Sequence, residues 1–187
     1  MLIKGVLIAI LVSIILNLSA IPVGFAQTTQ LKVVAPTTDI SVPTQFNVDI
    51  VVIDVPAEPN ALFSWQIKLY YDPTLLLLID ATYPPGHVFD GKLFSGVSAI
   101  NATDAGGTYI KFTASLQATE SRFSGSGTLC RISFVAKAQG TSTLVFSRPL
   151  GGDTYLWNYD LLDIPATLVD GSVNVVGADT RSPTSIS

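Results

Sequence analysis

The chain has 187 residues, 48% hydrophobic and only 13% charged, with a formal net charge of −4. The charged share is about half the roughly 25% of an ordinary globular protein. Its ten Lys and Arg are scattered, which excludes a nucleic-acid interface built on clustered cations.

Met1 to Ala26 reads as a secretory signal. Lys4 is the single positive charge of its leading region, "GVLIAILVSIIL" is the apolar stretch, and "GFA" before Gln27 supplies small residues at a cleavage site. Cleavage there would remove Lys4 and no acid, moving the net charge from −4 to −5. An uncleaved membrane anchor is the alternative: Gly5 to Ala26 carries no charge, and about 20 apolar residues span a bilayer. Asn17, Pro22 and Gly24 weaken the second half as a span. Either reading exports the remainder to an extracellular or cell-surface location, with membrane contact only if the segment stays attached.

Residues 27–176 then form one domain, long enough for its own core. "LKVVA" is a first short strand, and "QFNVDIVVIDV" is a long one whose apolar end suits a central position. "ALFSWQIKLYYDP" puts Phe63, Trp65, Ile67, Leu69 and Tyr71 on one face and Leu62, Ser64, Gln66, Lys68 and Tyr70 on the other. Side chains alternate along a strand, so the first set is expected in the core and the second largely in water. Asp72-Pro73 ends that strand, because proline lacks the N–H that continues a ladder and Asp caps the turn.

"TLLLLIDATY" gives a helical turn followed by a strand. Tyr83 to Gly96 reads as a loop with paired prolines and glycines, and the Asn/Asp/Gly region after it as loop-like. "TYIKFTASLQ", "TLCRISFVAKA", "STLVFSR", "TYLWNY" and the segment closing in "DGSVNVV" are further strands, separated by "SGSG", "QGTS" and "LGGD" turns. Residues 177–187 form a flexible polar tail. No long segment repeats every 3.6 residues. About eight or nine short strands with turn chemistry between them predict an all-β jelly-roll sandwich.

The chemistry points away from catalysis. One His leaves no Ser-His-Asp set, and metal or phosphate motifs are missing, so neither a cofactor nor a metal is expected. Cys130 lies on the face of Ile132 and Phe134 as a small buried hydrophobe. Asp72, Asp90, Asp153, Asp163 and Asp170 read as turn formers; calcium binding by a loop cluster of Asp153, Asp160 and Asp163 is the rival reading. Tyr155, Trp157 and Tyr159 fall on one face of a strand. Rings in a row suit a sugar or an interface partner, and a core-facing placement is the alternative. "NAT" at Asn101 to Thr103 is an N-glycosylation acceptor pattern.

The succession of "FNVDIVVIDV", "FSWQIKLYYDPTLLLL", "GTYIKFTASL", "SGSGTLCRISFVAKAQGTSTLVF" and "DGSVNVV" resembles the cohesin domain, the jelly-roll module of cellulosome scaffold proteins, related in fold to cellulose-binding modules. The resemblance implies a non-catalytic interaction module that offers one sheet face to a dockerin helix pair or to carbohydrate, with a link to polysaccharide degradation. It carries no individual contact residues. A structural cell-surface or filament subunit, assembled through sheet edges, is the competing function.

Overall fold

The computed structural model describes residues 28–148 and 153–177. The signal or anchor segment 1–26, the "LGGD" turn up to Gly152 and the tail beyond Gly177 lie outside the described residues. Twelve strands are formed among those described: β1 Thr29–Val34, β2 Ile40–Ser41, β3 Gln45–Val55, β4 Ser64–Tyr71, β5 Leu76–Thr82, β6 Phe94–Asp104, β7 Gly107–Leu116, β8 Gly125–Ala136, β9 Gly140–Phe146, β10 Tyr155–Trp157, β11 Ala166–Val169 and β12 Gly171–Val176. One sheet runs β11-β1-β3-β8-β5. The other runs β2-β12-β9-β4-β7-β6, with β10 also on β4. The two sheets make the expected jelly-roll sandwich.

The alternation seen in the sequence decides which side chains fill the gap between them. Trp65, Ile67 and Leu69 of β4 meet Ile110 and Phe112 of β7, and from the opposite sheet Val48, Ile50, Cys130, Ile132 and Phe134, all in one buried cluster. Trp65 is 0% exposed and sits edge-on to Tyr83 and Phe112, at 6.1 and 5.9 Å between ring centroids. Tyr83 follows β5 of one sheet yet donates its hydroxyl to the Thr113 carbonyl of the other, at 2.6 Å. That bridge holds the edges of the two sheets together, and burial pushes the phenol pKa up to about 12. Cys130 is fully buried, and burial pushes its thiol above the ordinary range.

Asp72-Pro73 closes β4 as expected. The Asp72 carboxylate accepts from the Thr74 N–H at 2.8 Å and from its hydroxyl at 2.6 Å, and the Leu76 N–H donates to the Asp72 carbonyl at 3.0 Å. A single helical turn therefore passes the chain from one sheet into β5 of the other.

Two expectations need correction. The region read as loop around Phe94 to Asp104 is an eleven-residue strand, β6. It is an edge strand, exposed over most of its length, so it shows no inside–outside alternation. A register shift between Val97 and Ile100 breaks its period as well. The second correction concerns the outer face of β4. Leu62, Ser64 and Lys68 are buried rather than in water: Leu62 joins the core, the Ser64 hydroxyl donates to the Ala114 carbonyl, and Lys68 is covered by Asp104, Asp153 and the Tyr109 ring.

Removing the Trp65 ring should leave a cavity that the two packed sheets cannot close. Trp65→Ala is expected to cost about 3 to 5 kcal/mol in denaturant unfolding. A loss under about 1 kcal/mol would show that the ring does not occupy the core.

Candidate functional site

The outer face of the seven-stranded sheet is built in rows across its strands. Directly paired residues share a face, so the register aligns Val97, Thr113, Gln66 and Tyr155 in one row. Ile100, Lys111 and Lys68 form the next, and Ala102, Tyr109, Tyr70 and Val145 a third. Val97 and Ile100 are 55% and 50% exposed. The tyrosines and Lys111 are half-buried.

Lys68 lies at the middle of this face and is only 7% exposed. A buried ammonium needs partners, and it has two: Asp104 at 2.7 Å and Asp153 at 2.8 Å. It also stands 4.3 Å from the Tyr109 ring centre and 5.4 Å from that of Tyr70, within cation–π range. Lys111 reaches Asp153 at 3.4 Å. The hydrogen bond from Lys68 holds each carboxyl below the usual range, and those two bonds hold the Lys68 ammonium above its own.

Local sequence puts the carboxylates there. Asp104 opens the tight β6–β7 turn and accepts from the Gly106 N–H at 2.8 Å and from the Tyr70 hydroxyl at 3.1 Å. A side chain at Gly106 would overlap the Tyr70 ring, and Gly107 has φ +124°, so only glycine serves both positions. Asp153 precedes β10, and its carbonyl accepts from Gln66 Nε2 at 2.8 Å.

The aromatic candidates divide. Tyr155 and Trp157 lie on the outer face of β10, with Leu156 between them turned into the core. Their rings stack on one another at 3.8 Å and 13°, so each uses one face on its neighbour. Trp157 Nε1 donates to Asp163 at 2.8 Å. Tyr159 lies beyond the strand, packed edge-on to Phe63 at 5.2 Å with the Arg122 guanidinium 4.1 Å from its ring centre. The three rings do not make one row.

Asp153 and Asp163 are engaged by Lys68 and Trp157, and no group of three or more metal-ligating side chains converges among the described residues. His87 is buried, and its Nδ1 accepts from the Phe89 N–H at 3.3 Å; burial lowers its pKa. Asn101 sits exposed on β6 rather than in a loop, and its Oδ1 accepts from the Tyr71 hydroxyl at 3.0 Å.

The cohesin domain profile matches residues 29–175, the whole of this sandwich. The chain belongs to the cohesin domain family. Solved structures of the same fold include a non-cellulosomal cohesin from the archaeon Archaeoglobus fulgidus, at 16% identity over 80% of this chain and 92% of that one, with a TM-score of 0.56. A type II cohesin from the cellulosome of Acetivibrio cellulolyticus matches at 16% identity over 79% and 96%, with a TM-score of 0.64. A type I cohesin–dockerin complex from Clostridium thermocellum matches at 17% identity over 81% and 98%, with a TM-score of 0.60. None of the curated proteins matches the sequence.

What sequence reasoning missed in this cohesin is the Lys68 cluster. The alternation placed Lys68 on a wet face, and nothing local pairs it with acids 36 and 85 positions away. Because both carboxyls are held low in the fold, the stability they contribute is present above about pH 4, the ordinary carboxylate range, and is lost as pH falls through their folded values. Lys68→Met should raise both carboxyl pKa values toward about 3.9, read by NMR titration, and should flatten the acid side of the stability curve. Unchanged titrations would remove Lys68 from this role.

Proposed function

We propose that this cohesin domain is a non-catalytic extracellular binding module whose outer seven-stranded face receives a dockerin-like helix pair. The observation that carries the reading is that face itself. Val97, Ile100, Tyr70, Tyr109 and Val145 offer apolar and aromatic surface around an ammonium already neutralised by two carboxylates. Such a centre is pre-ordered, so docking onto it would immobilise few side chains. Family membership supports the same partner class, as several cohesins of this fold were solved as dockerin complexes. The apolar N-terminal segment supports export.

Calorimetry with a dockerin-type helix pair tests it. Val97→Asp with Ile100→Asp should weaken binding at least tenfold, about 1.4 kcal/mol, while leaving the melting temperature unchanged, since both side chains already face water. Full affinity in that variant would move the interface elsewhere. Polysaccharides should stay intact in a reducing-end assay; hydrolysis lost on mutating one Asp or Glu would overturn the non-catalytic reading.

The ring stack favours a second reading, carbohydrate binding. Trp157 and Tyr155 form a fixed aromatic ledge with Asp163 beside it. A soluble β-glucan at a hundredfold excess over its Kd would then add about 2.7 kcal/mol of stability, and Trp157→Ala would abolish the gain. If neither ligand class binds and the domain associates with itself as concentration rises, a structural subunit is the better description.

A further inference from the structure

Four of the large apolar side chains left in water lie toward one end of the sandwich, while Val34, Leu77, Ile79, Val97 and Ile100 are exposed elsewhere. Leu93, Tyr159, Leu161 and Leu162 are 59%, 44%, 60% and 62% exposed. Leu161 and Leu162 lie in the turn closed by the Trp157–Asp163 bridge. Tyr159 packs on Phe63, just before β4. The Leu93 carbonyl accepts from the Gln117 N–H just past β7, at the same end.

The turn is made to hold its leucines outward. Asn158, only 3% exposed, donates its N–H to the Leu162 carbonyl, accepts from the Leu161 N–H on its own carbonyl, and accepts from the Leu162 N–H on Oδ1 at 2.9 Å. Leu161 has φ +59°, a left-handed backbone that bulky residues rarely adopt. Exposed apolar groups held in place this way mark a contact surface.

The chain enters the fold at this end. Thr28 and Thr29 line a groove with Asp163, Ile164 and Pro165, and Thr29 pairs with Ala166. β12 runs to the opposite end, where Val175 pairs with Gly140. Only Gln27 stands between Thr28 and the uncharged stretch Gly5–Ala26, which has the length of a bilayer span. Two connecting residues reach about 7 Å.

We propose that Gly5–Ala26 stays in a lipid bilayer and that the Tyr159–Leu162 turn, with Leu93, rests on that bilayer's surface. Two leucines alone adhere weakly, but a short tether turns weak contact into constant contact. Trp157 and Tyr159 sit where interfacial aromatics belong. Arg122 at this end pairs with Glu58, Lys92 donates to the Ser121 carbonyl and hydroxyl, and Asp160 adds an exposed carboxylate, so the tip lacks the cationic cluster an anionic membrane attracts and suits a zwitterionic one. Strands then run away from the bilayer, and both outer sheet faces stay open to partners.

The full chain, reconstituted in phosphatidylcholine vesicles, tests this. Leu162→Cys and Thr141→Cys place an environment-sensitive label at the near and far ends, while the buried Cys130 stays unlabelled. Quenching by brominated acyl chains should be several-fold stronger at position 162 than at 141. Equal quenching would overturn the proposal, as would full-length chain that does not partition into the vesicles. So would a label at 162 shielded without lipid in proportion to protein concentration, which would indicate a second copy as the occupant.

Discussion

β4 must bury both of its faces, and most of the molecule answers to that demand. It sits inside its sheet, with β7 on one side and β9 and β10 sharing the other. Its inward face carries Trp65, Ile67, Leu69 and Tyr71, which belong against the opposite sheet without further help. Its outward face carries a lysine that is almost completely covered. An ammonium without partners at that depth would be costly. The β6–β7 turn and the segment entering β10 each deliver a carboxylate to it, and the glycines of that turn allow the approach.

The same demand shapes the face proposed for binding. With Lys68 neutralised and held between Tyr70 and Tyr109, the surface at the centre of the sheet is rigid and carries little net charge. The apolar and aromatic residues around it stand on β6, β7, β4 and β9. A partner would meet an ordered, half-apolar plane whose central charges are already paired. Such a surface favours shape-matched docking over electrostatic capture.

The domain is also polarised along its strands. The end receiving the N-terminal segment holds the fixed turn with its outward leucines and the aromatic ledge of β10, whereas the other end holds the Asp72 turn and the exit of β12. The sheet face and the chain-entry end are distinct surfaces, so occupation of one leaves the other free.

The sequence by itself determined the class of fold and the content of the core. Period-two alternation in "FSWQIKLYY" and "TLCRISFVA" reports which side of a strand meets apolar neighbours, and that is a local property of burial on one face. It also determined the Asp72-Pro73 stop, because a missing N–H acts within a few residues. Only the tertiary structure decided the rest. β6 left no alternating signal, since this edge strand is exposed over most of its length and a register shift breaks its period. The fate of Lys68 depended on acids brought near by sheet pairing. Tyr155, Trp157 and Tyr159 shared a spacing but not a surface, because β10 ends at Trp157 and the buried Asn158 turns the chain away. Where a residue's environment is made by its own strand, the sequence carries it; where distant strands make that environment, the pairing of the sheets does.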